Sequence, residues 1–402
     1  MSMSVTHEHP GPPTGSGRTD HLVVSVVIPC LNEEENIQAS VTAARSALRD
    51  NDLLGEVLVV DNDSEDLSAK LAAEAGATVI HEPRRGYGSA YLAGLEAARG
   101  EFVVMADADL TYDFNDIPRF VERLRGGADL VMGDRMDNIE PGAMPWLHRY
   151  IGNPLLSGIL NLFFRTGVRD AHCGMRALRR EALPRMALRT TGMEFASEMV
   201  VRASKERLVI DEVPIRYSPR GGTSKLSSFR DGWRHLRYLL VHSPFYLFIV
   251  PGLVLCVIGV LASLLVLTNL HLLGRIWDIH TLIAGSLLMI VGVQVLAMGI
   301  CAQTYGVYYM GERDARFDAM RRRFSLEHGL AAGAILATGG LVVGAVVVVH
   351  WIVDGFGALG QERLALEAAT LVIIGVQIFF ASFLISILGL RRTDYEAQVE
   401  RT

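Results

Sequence analysis

Four apolar blocks in the C-terminal half, Phe245 to Leu270, Thr281 to Tyr305, Leu330 to Val353 and Ala368 to Leu390, constrain this chain more than any other feature. Each is long enough for a helix that crosses a bilayer, which takes roughly 20 residues. Backbone amides find no partner in hydrocarbon, so such blocks fold as helices. Up to about Val241 the composition is mixed, which divides the chain into a soluble part and an embedded part. The loop after the second block carries Arg313, Arg316, Arg321, Arg322 and Arg323, and the C-terminal tail carries Arg391, Arg392 and Arg401. The opposite loops hold Arg275 and Arg363. By the positive-inside bias, the arginine-rich loop, the tail and the whole N-terminal part lie on the cytoplasmic side of a cell (inner) membrane that the chain crosses several times.

The second and fourth blocks share Ile-x-Gly-Val-Gln, at Ile290 to Gln294 and Ile373 to Gln377. Two copies of one helical hairpin would produce this, and so would chance likeness between segments built from few residue types. Gln294 and Gln377 are read as hydrogen-bonding between helices. The net charge of -6 argues against a nucleic-acid partner, which needs a basic surface. The cysteines, Cys30, Cys173, Cys256 and Cys301, are too scattered for a disulfide framework or a zinc site. Residues 1–20 are rich in Pro, Gly, Ser and His without the apolar core of a cleavable signal peptide, and are expected to be disordered.

From Val23 short β-branched runs alternate with helical patterns: Val23 to Ile28, Glu56 to Val60, Ala77 to Ile80, Phe102 to Met105 and Leu130 to Met132. This is the pattern of a mostly parallel α/β sheet covered by helices. Asn32, with Glu35 three residues on, predicts a capping box opening the first helix. Ligands of such sheets bind at the carboxyl ends of the strands, so the polar residues there are the candidates. Asp61 ends the second run and can accept hydrogen bonds from a nucleobase, or close a turn. Arg84-Arg85-Gly86-Tyr87-Gly88 after the third is a cationic glycine turn able to approach phosphates, although it matches neither the P-loop nor the GxGxxG fingerprint. The fourth run ends in Asp107-Ala108-Asp109, two carboxylates placed to hold a hard divalent cation while leaving room for phosphate oxygens.

In this order the stretches Val27 to Asn36, Val60 to Asp66, Arg84 to Gly94, Asp107 to Leu110, Val131 to Arg135, Asp170 to Arg176 and Glu212 to Leu226 resemble family-2 glycosyltransferases, specifically the polyprenyl-phosphate (dolichol-phosphate) glucosyl- and mannosyltransferases. The resemblance implies a GT-A, Rossmann-like domain, then an interfacial helix and four transmembrane helices. It implies inverting hexose transfer from a nucleotide sugar to polyprenyl phosphate, assisted by Mg²⁺ or Mn²⁺. Nucleotide-sugar contacts are carried over to Pro29, Asn32, Glu33, Asp61, Arg84, Gly86, Asp107 and Ala108. Metal and catalytic roles go to Asp107 and Asp109, with Asp170 also catalytic, and the acceptor phosphate to Arg135, Arg149, Arg220, Lys225 and Arg234. Two positions depart from the family: Asn62-Asp63 stands where Asp-Gly is frequent, and Thr111 where mannosyl members place a metal-binding Gln. UDP-glucose is the favoured donor; GDP-mannose, a UDP-N-acetylhexosamine and a polysaccharide-synthase reaction are the alternatives. The last lacks its Gln-x-x-Arg-Trp motif here.

The residues themselves add detail. Asp170 either orients the acceptor or an arginine, or closes a structural turn. His172 and Cys173 are read as packing residues, without a second Cys/His pair close in sequence. Glu194, Glu198 and Arg202 are read as a solvated face or internal ion pairs. Residues 227–242 place Phe229, Trp233, Leu236 and Leu240 on one helical stripe and Arg230, Arg234 and Arg237 on another, suited to lying in the membrane interface. Asn153 to Phe164 is an apolar segment too short to span, of a length that suits the same interface. The expected organisation is a tail (1–20), a cytoplasmic transferase domain (21–226), the interfacial helix (227–242), four spans (243–390) and a cytoplasmic tail (391–402). A homo-oligomer is left open.

Overall fold

The computed structural model describes residues 22–221, 228–269, 277–309, 317, 325–356 and 360–399. The expected N-terminal tail, Lys225, Arg275, the arginines from Arg313 to Arg323 and Arg401 lie outside the described residues, as do the side chains of Phe229, Arg391 and Arg392. The chain forms two compact units, Met1–His235 and Leu236–Thr402.

The first unit alternates β1 (Val24–Cys30), α1 (Ile37–Asp50), β2 (Gly55–Asp61), α2 (Ser68–Glu74), β3 (Thr78–His81), α3 (Tyr87–Ala97), β4 (Phe102–Met105), α4 (Ile117–Arg125) and β5 (Leu130–Asp134). It continues through α5 (Asn153–Phe164), β6 (Arg176–Arg179), α6 (Leu183–Met186), α7 (Phe195–Lys205), β7 (Ile210–Pro214) and the first half of α8 (Ser228–Val241), within which the division between the units falls. One seven-stranded sheet results, in the order β3-β2-β1-β4-β6-β5-β7. β6 runs antiparallel to both its neighbours, and the remaining pairs are parallel. β1 is buried along nearly its whole length, as a central strand covered on both faces must be. Pro29 sits in that strand without costing a ladder bond because β4 pairs only as far as Val27↔Met105. The order turns back on itself between β1 and β4, which opens a crevice at their carboxyl ends.

β6 and β7 were not foreseen. β6 reads Arg-Ala-Leu-Arg, yet Arg176 is among the most deeply buried side chains, its guanidinium donating to the carbonyls of Cys173 (2.7 Å), Ala196 (2.7 Å) and Ala171 (3.0 Å). The predicted capping box is also corrected. α1 begins one turn later, at Ile37. Asn32 adopts a left-handed backbone (φ 50°), and its side chain accepts from Glu65 N–H at 2.8 Å instead, tying the β1–α1 loop to the β2–α2 loop.

The second unit holds four helices long and apolar enough to cross a membrane, Phe245–Leu267, Ile279–Tyr309, Leu326–Val353 and Glu362–Gly389. They belong to α9 (Val250–Leu267) with the π-helical turn before it, α10 (Ile279–Tyr309), α11 (Leu326–Val353) and α12 (Glu362–Val399). Small residues let the paired backbones touch. Gly252 packs on Gly292 and Gly259 on Gly285; correspondingly Gly333 packs on Gly375 and Gly340 on Ala368. Gly292 and Gly375 are the glycines of the two Ile-x-Gly-Val-Gln segments, so the two hairpins repeat one packing scheme.

Candidate active site

The Asp107-Ala108-Asp109 turn leaves β4 at the crevice. Leu110, directly after it, takes a left-handed conformation (φ 61°) that a leucine adopts at a cost of roughly 1–2 kcal/mol. Asp109 is buried. Its Oδ1 accepts the Thr111 hydroxyl at 2.6 Å and the Thr111 N–H at 3.2 Å. Its Oδ2 takes both Nε and Nη2 of Arg220 at 2.5 Å. Asp107 is half-buried, and Oδ1 accepts the hydroxyls of Tyr87 (3.2 Å) and Tyr91 (3.4 Å). Gly174 lies so close that a Cβ there would strike Asp107 Oδ2. Neither tyrosine nor Gly174 was singled out from the sequence, although Tyr87 stands inside the glycine turn.

On the β2 side, Asp61 is buried, its Oδ1 accepting from Ser64 N–H (3.3 Å) and its Oδ2 lying 3.2 Å from His81 Nδ1. Asn62, one of the departures from the family pattern, shapes the neighbouring turn. Its amide donates to the carbonyls of Glu82 (2.9 Å) and Arg84 (2.8 Å), and its Oδ1 accepts Gly86 N–H at 2.7 Å. Arg84 forks onto Glu82 at 2.8 and 2.9 Å, which holds Glu82 down at about 2. The Glu33 N–H donates to the Ser68 hydroxyl oxygen at 2.8 Å; Pro29 lies near the end of β1 and Ala108 in the turn after β4.

Arg135 and Asp170 form a buried pair, with Nε to Oδ2 at 2.6 Å, Nη2 to Oδ1 at 2.8 Å and the Arg135 N–H to Oδ2 at 3.3 Å. The guanidinium also lies over the Tyr217 ring, 4.9 Å from its centroid. Arg149 is half-exposed, over Tyr150 at 5.4 Å. Arg234 lies on α8, 3.7 Å from Asp231. The structure thus groups Asp107, Asp109 and Arg220 directly, and joins Arg135 to Asp170.

A family model described as "Glycosyl transferase family 2" matches residues 25–186, and one described as "Glycosyltransferase family 2 C-terminal transmembrane region" matches residues 300–389. A Haloferax volcanii protein named "Low-salt glycan biosynthesis hexosyltransferase Agl6" is 43% identical over 368 residues, covering 91% of this chain and 89% of that protein. The chain belongs to glycosyltransferase family 2. A second relative of this transferase in Haloferax volcanii, named "Dolichyl-phosphate hexose transferase", is 36% identical over 211 residues, 52% of this chain and 89% of that protein. Among solved structures, glucosyl-3-phosphoglycerate synthase from Mycobacterium tuberculosis, in complex with Mn²⁺, uridine diphosphate and glucosyl-3-phosphoglycerate, aligns with a TM-score of 0.46 at 25% identity, over 59% of this chain and 86% of that one. With its four bilayer-length helices, the transferase is a multi-pass membrane protein.

The transferase's acidic turn fits a divalent cation. Burial, and then the Asp109 carboxylate, push Asp107 up to about 6, against the opposing pull of Arg220, the Tyr87 hydroxyl and Arg135. A cation relieves that repulsion, and Arg220 already supplies one positive charge to Asp109. Among the described residues no cluster of three or more His, Cys, Asp or Glu could hold a metal ion, so Asp107 and Asp109 are the residues that would hold one here, with the remaining ligands coming from outside the protein.

The raised Asp107 predicts a stability change. A carboxyl whose folded value lies above its unfolded one favours folding while protonated, and that contribution is lost as pH rises through about 6. In EDTA at pH 7.5, Asp107→Asn is therefore expected to stabilise the first unit by about 1–3 kcal/mol. The gain should shrink as the pH is lowered from 7 to 4. Thermal melts of the two proteins across that range check it.

Behind the acidic turn, the fold supplies partners that the sequence did not show. His172 lies edge-on to His235, ring centroids 4.5 Å apart, and Ser197 Oγ bridges them at 3.3 Å to His172 Nε2 and 2.9 Å to His235 Nδ1. A second histidine is therefore nearby, brought from α8 by the fold. Burial lowers both imidazoles, His235 to about 4, so the pair is neutral at pH 7. Of the two readings for Glu194, Glu198 and Arg202, the internal ion pair holds for Glu198, whose carboxylate lies 4.0 Å from Arg202 Nε, and not the solvated face. Glu198 is buried and accepts from the Arg189 and Thr190 backbones and from the Thr190 hydroxyl (2.6 Å). This anchors the loop whose Thr191 carbonyl receives Ser89 N–H in the first turn of α3.

Proposed function

We propose that this transferase moves a hexose from a nucleotide sugar, UDP-glucose in the favoured case, onto a polyprenyl phosphate at the cytoplasmic face of the membrane. The observation that carries this is the grouping of Asp107, Asp109 and Arg220 at the carboxyl edge of the sheet in a chain that also has four bilayer-length helices. The names of its relatives, a hexosyltransferase and a dolichyl-phosphate hexose transferase, support the same reaction class. An acceptor phosphate oxygen attacks the anomeric carbon opposite the diphosphate. A C–O bond forms as the C–O bond to the diphosphate breaks, the electron pair leaves with the diphosphate, and configuration inverts. The acceptor's second pKa is about 6, so it is largely ionised at pH 7 and needs no strong base. When bound by Asp107 and Asp109, Mg²⁺ or Mn²⁺ would neutralise charge on the departing diphosphate.

In this reading Asp61 meets the base, while Pro29, Asn32, Glu33, Arg84, Gly86 and Ala108 border the nucleotide sugar. Arg149, Arg220, Lys225 and Arg234 attract the acceptor phosphate. Asp170 works by orienting Arg135, whose fork it already holds. The acceptor arrives in the bilayer. Exposed Trp146, Tyr150, Leu155 and Leu162 around α5, and exposed Arg230, Trp233 and Arg237 on α8, are suited to the headgroup layer. The arginine asymmetry of the loops supports a cytoplasmic transferase unit.

The test supplies membranes with polyprenyl phosphate and radiolabelled UDP-glucose, GDP-mannose or UDP-N-acetylglucosamine. Label is expected in the organic phase as a charged lipid, from UDP-glucose first. Arg234→Ala should raise the acceptor KM by about three- to tenfold without changing the donor KM. Label in polymer would favour a polysaccharide synthase. No incorporation from any donor would overturn the reading.

A further inference from the structure

Arg220 stands where a metal-binding carboxylate would need to be open. Two of its nitrogens bind Asp109 Oδ2, each at 2.5 Å, while Thr111 takes Oδ1 by its hydroxyl and N–H. A dication approaching Asp109 must displace one of these partners, and the guanidinium is the one whose charge it opposes. The Arg220 backbone, in contrast, is fastened to the same turn. Gly221 N–H donates to the Asp109 carbonyl at 3.2 Å, and the Gly221 carbonyl accepts the Asn36 amide at 2.9 Å. Gly221 lies so close to Asn36 that a Cβ would overlap the Asn36 amide, and Ser218 N–H donates to the Thr111 carbonyl at 3.0 Å. A long side chain on a fixed backbone can leave the carboxylate without carrying the loop away.

We propose that Arg220 is a tethered counter-ion that occupies Asp109 in the absence of donor, yields to the divalent cation when cation and nucleotide arrive together, and then turns its guanidinium to the phosphates. This builds on the metal-assisted transfer proposed above and adds an order to it. A cation alone must break the Arg220 pair uncompensated. A cation arriving with a diphosphate gives the released guanidinium a new anionic partner, so the two ligands bind cooperatively. The same exchange keeps Asp109 neutralised between turnovers, when no cation is bound.

Mn²⁺ binding to the full-length protein in detergent, followed by electron paramagnetic resonance with and without UDP, tests the exchange. The wild type is expected to bind Mn²⁺ weakly alone and about tenfold or more tighter with UDP. Arg220→Gln should bind Mn²⁺ alone about tenfold tighter than wild type and lose most of the UDP effect, because the competing charge and the phosphate partner disappear together. Arg220→Lys keeps the charge without the fork and should fall between the two, serving also where the Gln variant folds poorly. Mn²⁺ affinity in Arg220→Gln equal to or below wild type, with a comparable UDP effect, would overturn the exchange. Asp109→Asn separates this from the underlying reading: if it binds Mn²⁺ as wild type does, the carboxylate is not the metal site and the metal assignment itself is wrong.

Discussion

Asp109→Asn is expected to lower kcat/KM for sugar transfer by about a thousandfold or more while leaving the fold intact. The carboxylate supplies the negative charge that a divalent cation needs, and an amide of the same shape supplies only one weak oxygen acceptor. That acceptor still satisfies the Thr111 hydroxyl and N–H, the buried contacts of the turn. What disappears is the ion pair to Arg220, whose side chain is partly exposed and can rehydrate. Excess EDTA should reproduce the loss in the wild-type protein, and added Mg²⁺ or Mn²⁺ should restore it. Initial rates with and without chelator, beside a circular dichroism melt of the variant, check both halves. Undiminished transfer in EDTA would remove the metal from the reaction.

Asp170→Ala should destabilise the first unit by about 3–5 kcal/mol, because it leaves the buried Arg135 guanidinium without its counter-charge. Among the described residues Arg135 then keeps the Tyr112 hydroxyl at 3.4 Å, the face of Tyr217 and the through-space influence of Asp107, none of which replaces a forked counter-charge. Asp170→Asn is expected to fold better and to separate the roles. If Asp170 acts through Arg135, kcat/KM falls mainly through the acceptor KM. If it touches reacting atoms, kcat falls with KM unchanged. The double variant Arg135→Met/Asp170→Leu should recover much of the lost stability and none of the activity. Thermal melts and paired kinetics on the four proteins measure this, and a stable, fully active Asp170→Ala would remove both roles.

The places of the first five strands along the chain were legible because each is a short apolar run, most of them β-branched, ending in a polar turn; their order in the sheet came from the fold. The soluble and membrane parts were legible for a similar reason: the local composition alone sets the medium. β6 was not, because four residues with an arginine at each end carry no strand pattern; Arg176 is inside because three carbonyls receive it. The capping box failed since Asn32 had a better partner 33 residues away, in Glu65 N–H. The His172–Ser197–His235 cluster joins three segments with no shared motif, so only folding could assemble it.

By itself, the sequence determined the elements whose cause is local: apolar blocks of bilayer length, strands in a βα alternation, an acidic pair at a strand end and an amphipathic helix before the first span. These follow from the preference of each short segment for its surroundings, which residue type and spacing express directly. Tertiary structure alone decided which charges meet. Arg220 reaches Asp109 across 111 positions and Arg135 reaches Asp170 across 35, while Asn62, Tyr87 and Gly174 shape the crevice from three separate segments. An ion pair forms wherever the fold brings opposite charges together in a partly desolvated place, and distance along the chain carries no information about that.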